Sequence, residues 1–308
     1  MFSSSVLAVS HHPQVRRLVT TNSASRRLVG RFVAGEDLDT ATTPIQALVE
    51  RGLLVTVDHL GEDVSDPADA VATRAAYVAL LERLDVLGLA HAVEVSVKLS
   101  ALGQALPGDG GRIALDHAAA ICAAAARAGT TVTLDMEDHT TVDSTLEILG
   151  TLRREHPWVG VALQSALHRT EADAADLARE GSRVRLVKGA YAEPASVAFT
   201  AKSDVDDAFV RCLRILMSGP GYPMVASHDP RMIEAARAMA VVHGREADDH
   251  EYQMLYGIRT AEQDRIAASG ERMRVYLPYG ADWYGYFTRR LAERPANLAF
   301  FVRSLISR

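Results

Sequence analysis

Cysteine is almost missing from this sequence: Cys122 and Cys212 are the only two in 308 residues. They lie far apart, inside stretches of helical character. That reads as buried free thiols rather than a disulfide or a metal site. An excess of positive charge is missing too. A net charge of −6 argues against a general nucleic-acid binder, because phosphate contacts need clustered Lys and Arg. No stretch approaches the roughly 20 apolar residues of a membrane span. Residues 1–10 lack the basic start and apolar core of a signal peptide. These absences predict a reduced, cytoplasmic protein. A peripheral contact at the inner face of the membrane stays open. Nothing strongly basic and amphipathic marks tight docking, and Arg16-Arg17 and Arg26-Arg27 are where such a contact would be sought. No linker or low-complexity tract divides the chain. What remains is an ordinary globular composition, 48% hydrophobic and 23% charged.

Residues 1–50 read as an N-terminal helical segment. Gln14–Val19 and Ser25–Val29 suggest short amphipathic helices, Gly35-Glu36-Asp37 breaks them, and Thr43-Pro44 suggests the start of another, with Pro in its first turn. From 51 to 308 a strand–helix rhythm sets in. Eight short Val/Leu-rich runs, beginning near Leu53, Val93, Thr131, Val159, Arg183, Met224, Tyr252 and Arg274, each precede a helical stretch. Near-continuous apolar strands fit a parallel sheet covered by helices. Eight units without a long interruption predict a closed (βα)₈ barrel, with extra helices at the N-terminus and a C-terminal helix over its mouth. A doubly wound sheet is the rival. It usually carries G-x-G-x-x-G after its first strand, and His59-Leu60-Gly61-Glu62-Asp63 stands there instead.

Enzymes on such barrels work at the C-terminal ends of the strands. Those ends carry Asp58 and His59, Lys98 and Ser100, Asp135 and Glu137, Gln164, Lys188, His228 and Asp229, Gln253, and Tyr276. A lone Lys at a strand end is more often solvated or ion-paired than functional. Polar groups at every end point jointly to a polar cavity.

Two runs go further. In Arg183–Tyr191, alternation places Arg183, Arg185 and Val187 on one face of the strand and Val184, Leu186 and Lys188 on the other. An arginine inside a barrel needs an anionic partner. That partner is either a ligand or an internal carboxylate such as Asp135. Gly189 and Ala190 are small enough to let a ligand approach the backbone. In Tyr276–Glu293, a helix is predicted from Asp282 onward, capped by that acid. Tyr286 shares a face with Arg289 and Arg290, and Glu293 sits four and three residues beyond them. Guanidinium groups grip carboxylates in a bidentate manner. The run therefore reads as a clamp for a small apolar carboxylic acid, or as a solvated charged face over core aromatics. Spacing alone does not choose.

Together, Ser96–Leu102, Leu134–Glu137, Arg185–Tyr191, Ala226–Asp229, Tyr252–Gly257 and the Tyr276…Tyr286-x-x-Arg289-Arg290 segment resemble the proline dehydrogenase family. The resemblance runs in order from about residue 53 to 300 and is closest to the monofunctional bacterial form. It implies FAD as cofactor, L-proline as substrate, Δ1-pyrroline-5-carboxylate as product and a membrane quinone as electron acceptor. It also implies a link to a separate pyrroline-5-carboxylate dehydrogenase. Carried over residue by residue, Lys98, Arg289 and Arg290 would anchor the carboxylate. Tyr276 and Tyr286 would wall the proline ring, with Leu255 as an apolar contact. Asp135 would bond the Tyr276 hydroxyl, and Arg185 would sit beside flavin N5. Asp135, Gln164, Lys188, Gly189, Ala190, Tyr191, Lys202, Ser227, His228, Gln253 and Glu293 fall at flavin-side positions. There are departures: Ala192 follows Tyr191 where the fused enzymes carry Trp, Ser227 replaces a common Thr, and Ala201 stands where an Arg can occur, with Lys202 its candidate replacement.

No residue stands out as a general base. The rival enzyme is a Schiff-base aldolase or lyase using Lys188 or Lys98, and a barrel that only binds an anionic metabolite is the non-enzymatic alternative.

Overall fold

The computed structural model describes residues 29–292, the side chains of 288–292 excepted. Eight parallel strands close in sequence order: β1 Leu54–His59, β2 Val93–Val97, β3 Val132–Leu134, β4 Gly160–Gln164, β5 Arg183–Val187, β6 Tyr222–Ala226, β7 Glu251–Leu255 and β8 Met273–Tyr279. β1 pairs with β8 from Leu54↔Arg274 to His59↔Tyr279, which completes the barrel. The helices are α1 Leu38–Glu50, α2 Pro67–Val86, α3 Gly110–Ala128, α4 Val142–Leu152, α5 Thr170–Arg179, α6 Lys202–Ser218, α7 Pro230–Val242, α8 Thr260–Ala268 and α9 Trp283–Ala292. The (βα)₈ expectation holds, and strand starts agree with the sequence reading within two residues. No helix among the described residues is long and apolar enough to cross a membrane.

Local chemistry sets the helix ends. Asp66 accepts from the Ala68 amide ahead of α2, with Pro67 in the first turn. Asp229 does the same for α7 ahead of Pro230, through the Arg231 amide. One expectation fails. α1 begins at Leu38, not at Thr43-Pro44, because Asp37 and Thr40 form a reciprocal capping box that starts the helix earlier. Pro44 therefore sits inside α1. The Gln14–Val19 helix, and all of Ser25–Val29 but its last residue, lie outside the described residues.

Outward-facing Val and Leu of the strands pack under the helices in one large core, including Val55, Val95, Leu134, Val161, Leu186 and Val275. A smaller satellite core lies over one side of the mouth. Val29, Phe32 and Val33 pack there against Leu60, Ile258, Trp283, Tyr286 and Phe287. Backbone bonds from the Ala34 amide to the Pro278 carbonyl, and from the Gly280 amide to the Gly35 carbonyl, stitch this segment to the end of β8. The Trp283 indole donates to Glu36 at 2.9 Å.

Candidate active site

Polar side chains fill the barrel interior. Arg183 reaches from β5 to Glu94 on β2 at 2.8 Å, and the Tyr276 hydroxyl reaches from β8 to Asp135, just past β3, at 2.7 Å. Strands that are not neighbours can meet this way only across the interior. The floor is built by period-two alternation: Thr56 and Asp58; Glu94, Ser96 and Lys98; Thr133 and Asp135; Arg183 and Arg185; Glu251 and Gln253; Arg274 and Tyr276.

Asp135 is the hub. Its carboxylate accepts from Ser96 Oγ at 2.7 Å, Arg185 at 2.6 Å and Tyr276 at 2.7 Å, and lies 3.7 Å from the Lys98 ammonium. The Arg185 guanidinium also lies 5.3 Å from the centroid of the Tyr276 ring. Lys98 donates to Asp58 at 2.8 Å. Burial works against its charge, but Asp58 and Asp135 outweigh burial and hold the ammonium above its ordinary range. Deeper still, burial also opposes ionisation of Glu94, yet Arg274, Arg183 and Arg185 keep it well below the usual carboxylate range.

Above this floor opens a cavity of about 1040 Å³, large for a small-molecule site. Lys98, Asp135, Gln164, Arg185, Lys188, Gly189, Ala190, Tyr191, Lys202, Ser227, His228, Gln253, Leu255, Tyr276 and Tyr286 all line it. Every residue carried over from the family resemblance whose side chain the structure describes is thus brought to one space, whereas His59, at the end of β1, does not line it. The backbone of Arg289 and Arg290 belongs to α9, but their side chains, and all of Glu293, lie outside the described residues. One placement needs correction: Lys188 was assigned to the strand face opposite Arg185, yet it lines the same cavity. β5 ends at Val187, so alternation no longer governs the next residue.

On the β5–β6 side, Lys188 bonds Asp229 at 2.9 Å and pairs with Asp206, which also takes Lys202 and Arg231 at 2.6 Å each. Burial opposes the charge of Asp206, and these three cations override it, bringing its carboxyl down to about 2. Burial likewise opposes the Lys188 charge, and its two aspartates raise it. The exposed Gly189-Ala190 backbone is the bare wall between this cluster and the floor. Gly189 holds φ 114°, a conformation favouring glycine.

The sequence reading missed Glu94, Glu251 and Arg274 in the interior and Asp63, Gln104 and Asp138 on the cavity wall. The interior three carried a signal. V-E-V-S-V-K and E-Y-Q-M-L place polar residues at alternate positions, but attention to strand ends alone passes over them. The loop residues have no such periodicity.

The fold and site define a (βα)₈ barrel with a large polar cavity at the C-terminal ends of its strands, where enzymes of this fold act. The family model described as Proline dehydrogenase matches residues 41–303. The chain is 41% identical to Proline dehydrogenase of Deinococcus radiodurans, over 99% of this chain and 98% of that one. It is 38% identical to Proline dehydrogenase 2 of Bacillus subtilis strain 168, over 92% of each. Among solved structures, proline utilization A (PutA) from Bdellovibrio bacteriovorus, crystallised after inactivation by N-propargylglycine, superposes with a TM-score of 0.80 at 26% identity. That match covers 87% of this chain and spans 33% of the PutA chain. The chain belongs to the proline dehydrogenase family, enzymes of proline catabolism that oxidise proline.

Proposed function

We propose that this enzyme oxidises L-proline to Δ1-pyrroline-5-carboxylate with FAD as cofactor and passes the electrons to a quinone. The observation that carries the reading is the meeting, in one cavity, of Lys98, the Arg185–Asp135–Tyr276 cluster, Leu255 and the bare Gly189-Ala190 backbone. The donor set suits a dinucleotide flavin. Small residues leave room for a flat ring, and Lys188, Lys202 and Arg231, gathered where α6 and α7 begin, suit phosphate oxygens. Gln164, Tyr191, Ser227, His228, Gln253 and Glu293 would complete its contacts. When bound, the flavin supplies the hydride acceptor.

The protein's own share is binding and orientation. Lys98 presents a charged ammonium at the floor, and Arg289 and Arg290 would close on the same carboxylate from α9. Asp135 fixes the Tyr276 hydroxyl, so this ring, with Leu255 and Tyr286, forms a rigid apolar wall for a five-membered ring. Arg185 places fixed positive charge in the buried floor, where it favours negative charge on the bound cofactor.

The Schiff-base alternative is disfavoured. Such a lysine must be neutral to attack a carbonyl, whereas carboxylates hold both Lys98 and Lys188 charged. A separate pyrroline-5-carboxylate dehydrogenase would consume the product, and quinone reduction would bring the enzyme to the membrane surface.

Arg289→Met and Arg290→Met test the clamp. Each is expected to raise the KM for proline by roughly two orders of magnitude, the effect of losing a charge-assisted bidentate contact, while flavin stays bound. Loss of flavin with an unchanged KM would contradict it.

A further inference from the structure

We infer that Glu251, which lines no part of the cavity, is a positioning residue for the reaction: acting through Gln253, it fixes the guanidinium of Arg185 at the cavity floor. The inference rests on the reading of Arg185 given above.

Arg185 has acceptors on two sides. Toward β2 and β3, it donates to Ser96 Oγ at 2.7 Å and Asp135 at 2.6 Å, with Glu94 at 3.5 Å. Toward β7, its Nε donates to Gln253 Oε1 at 2.7 Å. Without that second side, two carboxylates would draw the guanidinium toward β2. Gln253 can oppose them only with its oxygen. A glutamine side chain has nearly the same shape with its amide reversed, and a reversed amide would point N–H groups at a cation.

Glu251 removes the ambiguity. Gln253 Nε2 donates to Glu251 Oε1 at 2.6 Å. A carboxylate can only accept, so the NH₂ end of Gln253 must face it and the oxygen must face Arg185. The carboxylate is itself fixed by the fork of Arg274, at 2.7 and 3.0 Å, and by the Tyr222 hydroxyl at 3.1 Å. Glu251 is fully buried, so no solvent competes for these bonds. Each donor and acceptor in the series Arg274–Glu251–Gln253–Arg185 thereby has one orientation. It runs from the barrel's lower interior to the site. A lone stability role explains this poorly, since a buried ion pair is a weak source of stability.

The test compares E251Q, Q253M, R185K and the double variant E251Q/R185K, each loaded with FAD. E251Q is expected to lower kcat on the order of tenfold, as a displaced catalytic group does, with little change in the KM for proline. The midpoint potential of its bound flavin should shift in the same direction as that of R185K. In the R185K background, E251Q should lower kcat no further. If E251Q does not fold, Q253M, which leaves the Glu251–Arg274 pair whole, is expected to give the same kcat and potential changes. A drop in Tm with unchanged kcat and potential in both variants, or effects that multiply in the double variant, would overturn the relay. R185K with unaltered kcat and potential would overturn the reading of Arg185 and the relay with it; an impaired R185K beside an unimpaired Q253M overturns the relay alone.

Discussion

At the scale of single residues, the site depends on charges that are already answered. Lys98 has Asp58, and Arg185 has Asp135. Of the two partners held open from the sequence for Arg185, a ligand or an internal carboxylate, the carboxylate is present as Asp135, and the guanidinium also lines the cavity. Sequence could name these residues because their types recur at strand ends. It could not pair them, because partner choice depends on how the barrel closes. His59 shows a further consequence of burial. Its Nδ1 has no hydrogen-bond partner among the described residues, and the ring packs edge-on between Tyr77 and Tyr279. Burial depresses its pKa below the ordinary 6.5; Asp58 and Asp282 oppose this only in part. A depressed histidine contributes stability that is present above the unfolded-state value and is lost as pH falls through the folded-state value. Tm is thus expected to decline as pH falls from 7 to 5, and the decline should be smaller in His59→Phe, which keeps the ring contacts. His250, also depressed by burial, should sustain the remainder. Parallel Tm-against-pH curves for wild type and variant would refute the assignment.

At the scale of elements, helices and strands were legible because each carries its own signal: apolar runs for β1 to β8, and Asp-Pro starts for α2 and α7. α1 was misplaced because a proline drew attention from the Asp37–Thr40 capping box. The satellite core was not legible at all, since it joins residues 29–36 to β8 and α9 across most of the chain. Its tightest point is Gly257. At φ 73° the residue lies in the left-handed region, and a Cβ there would fall 1.7 Å from the Arg31 carbonyl oxygen. Gly257→Ala must therefore strain the backbone and push the 29–36 segment away. A loss of about 1–3 kcal/mol from the backbone alone, with the displaced segment adding to it, should appear as a lower urea midpoint. An unchanged midpoint would mean that the segment is not docked as described.

At the scale of the whole molecule, the barrel joins an apolar outer layer to a charged inner one. Four cations, Lys98, Arg183, Arg185 and Arg274, face four carboxylates, Asp58, Glu94, Asp135 and Glu251, inside the strands. Removing so many charges from water carries a desolvation cost that apolar residues would avoid. Their retention makes sense if the layer serves the cavity above it. The central claim is that this cavity holds a flavin beside proline, and anaerobic mixing of the purified enzyme with L-proline tests it most directly. The preparation is expected to be yellow, with visible flavin bands that bleach when proline is added and pyrroline-5-carboxylate formed in step. A colourless preparation that takes up no FAD, or a bound flavin that proline leaves oxidised, would contradict it.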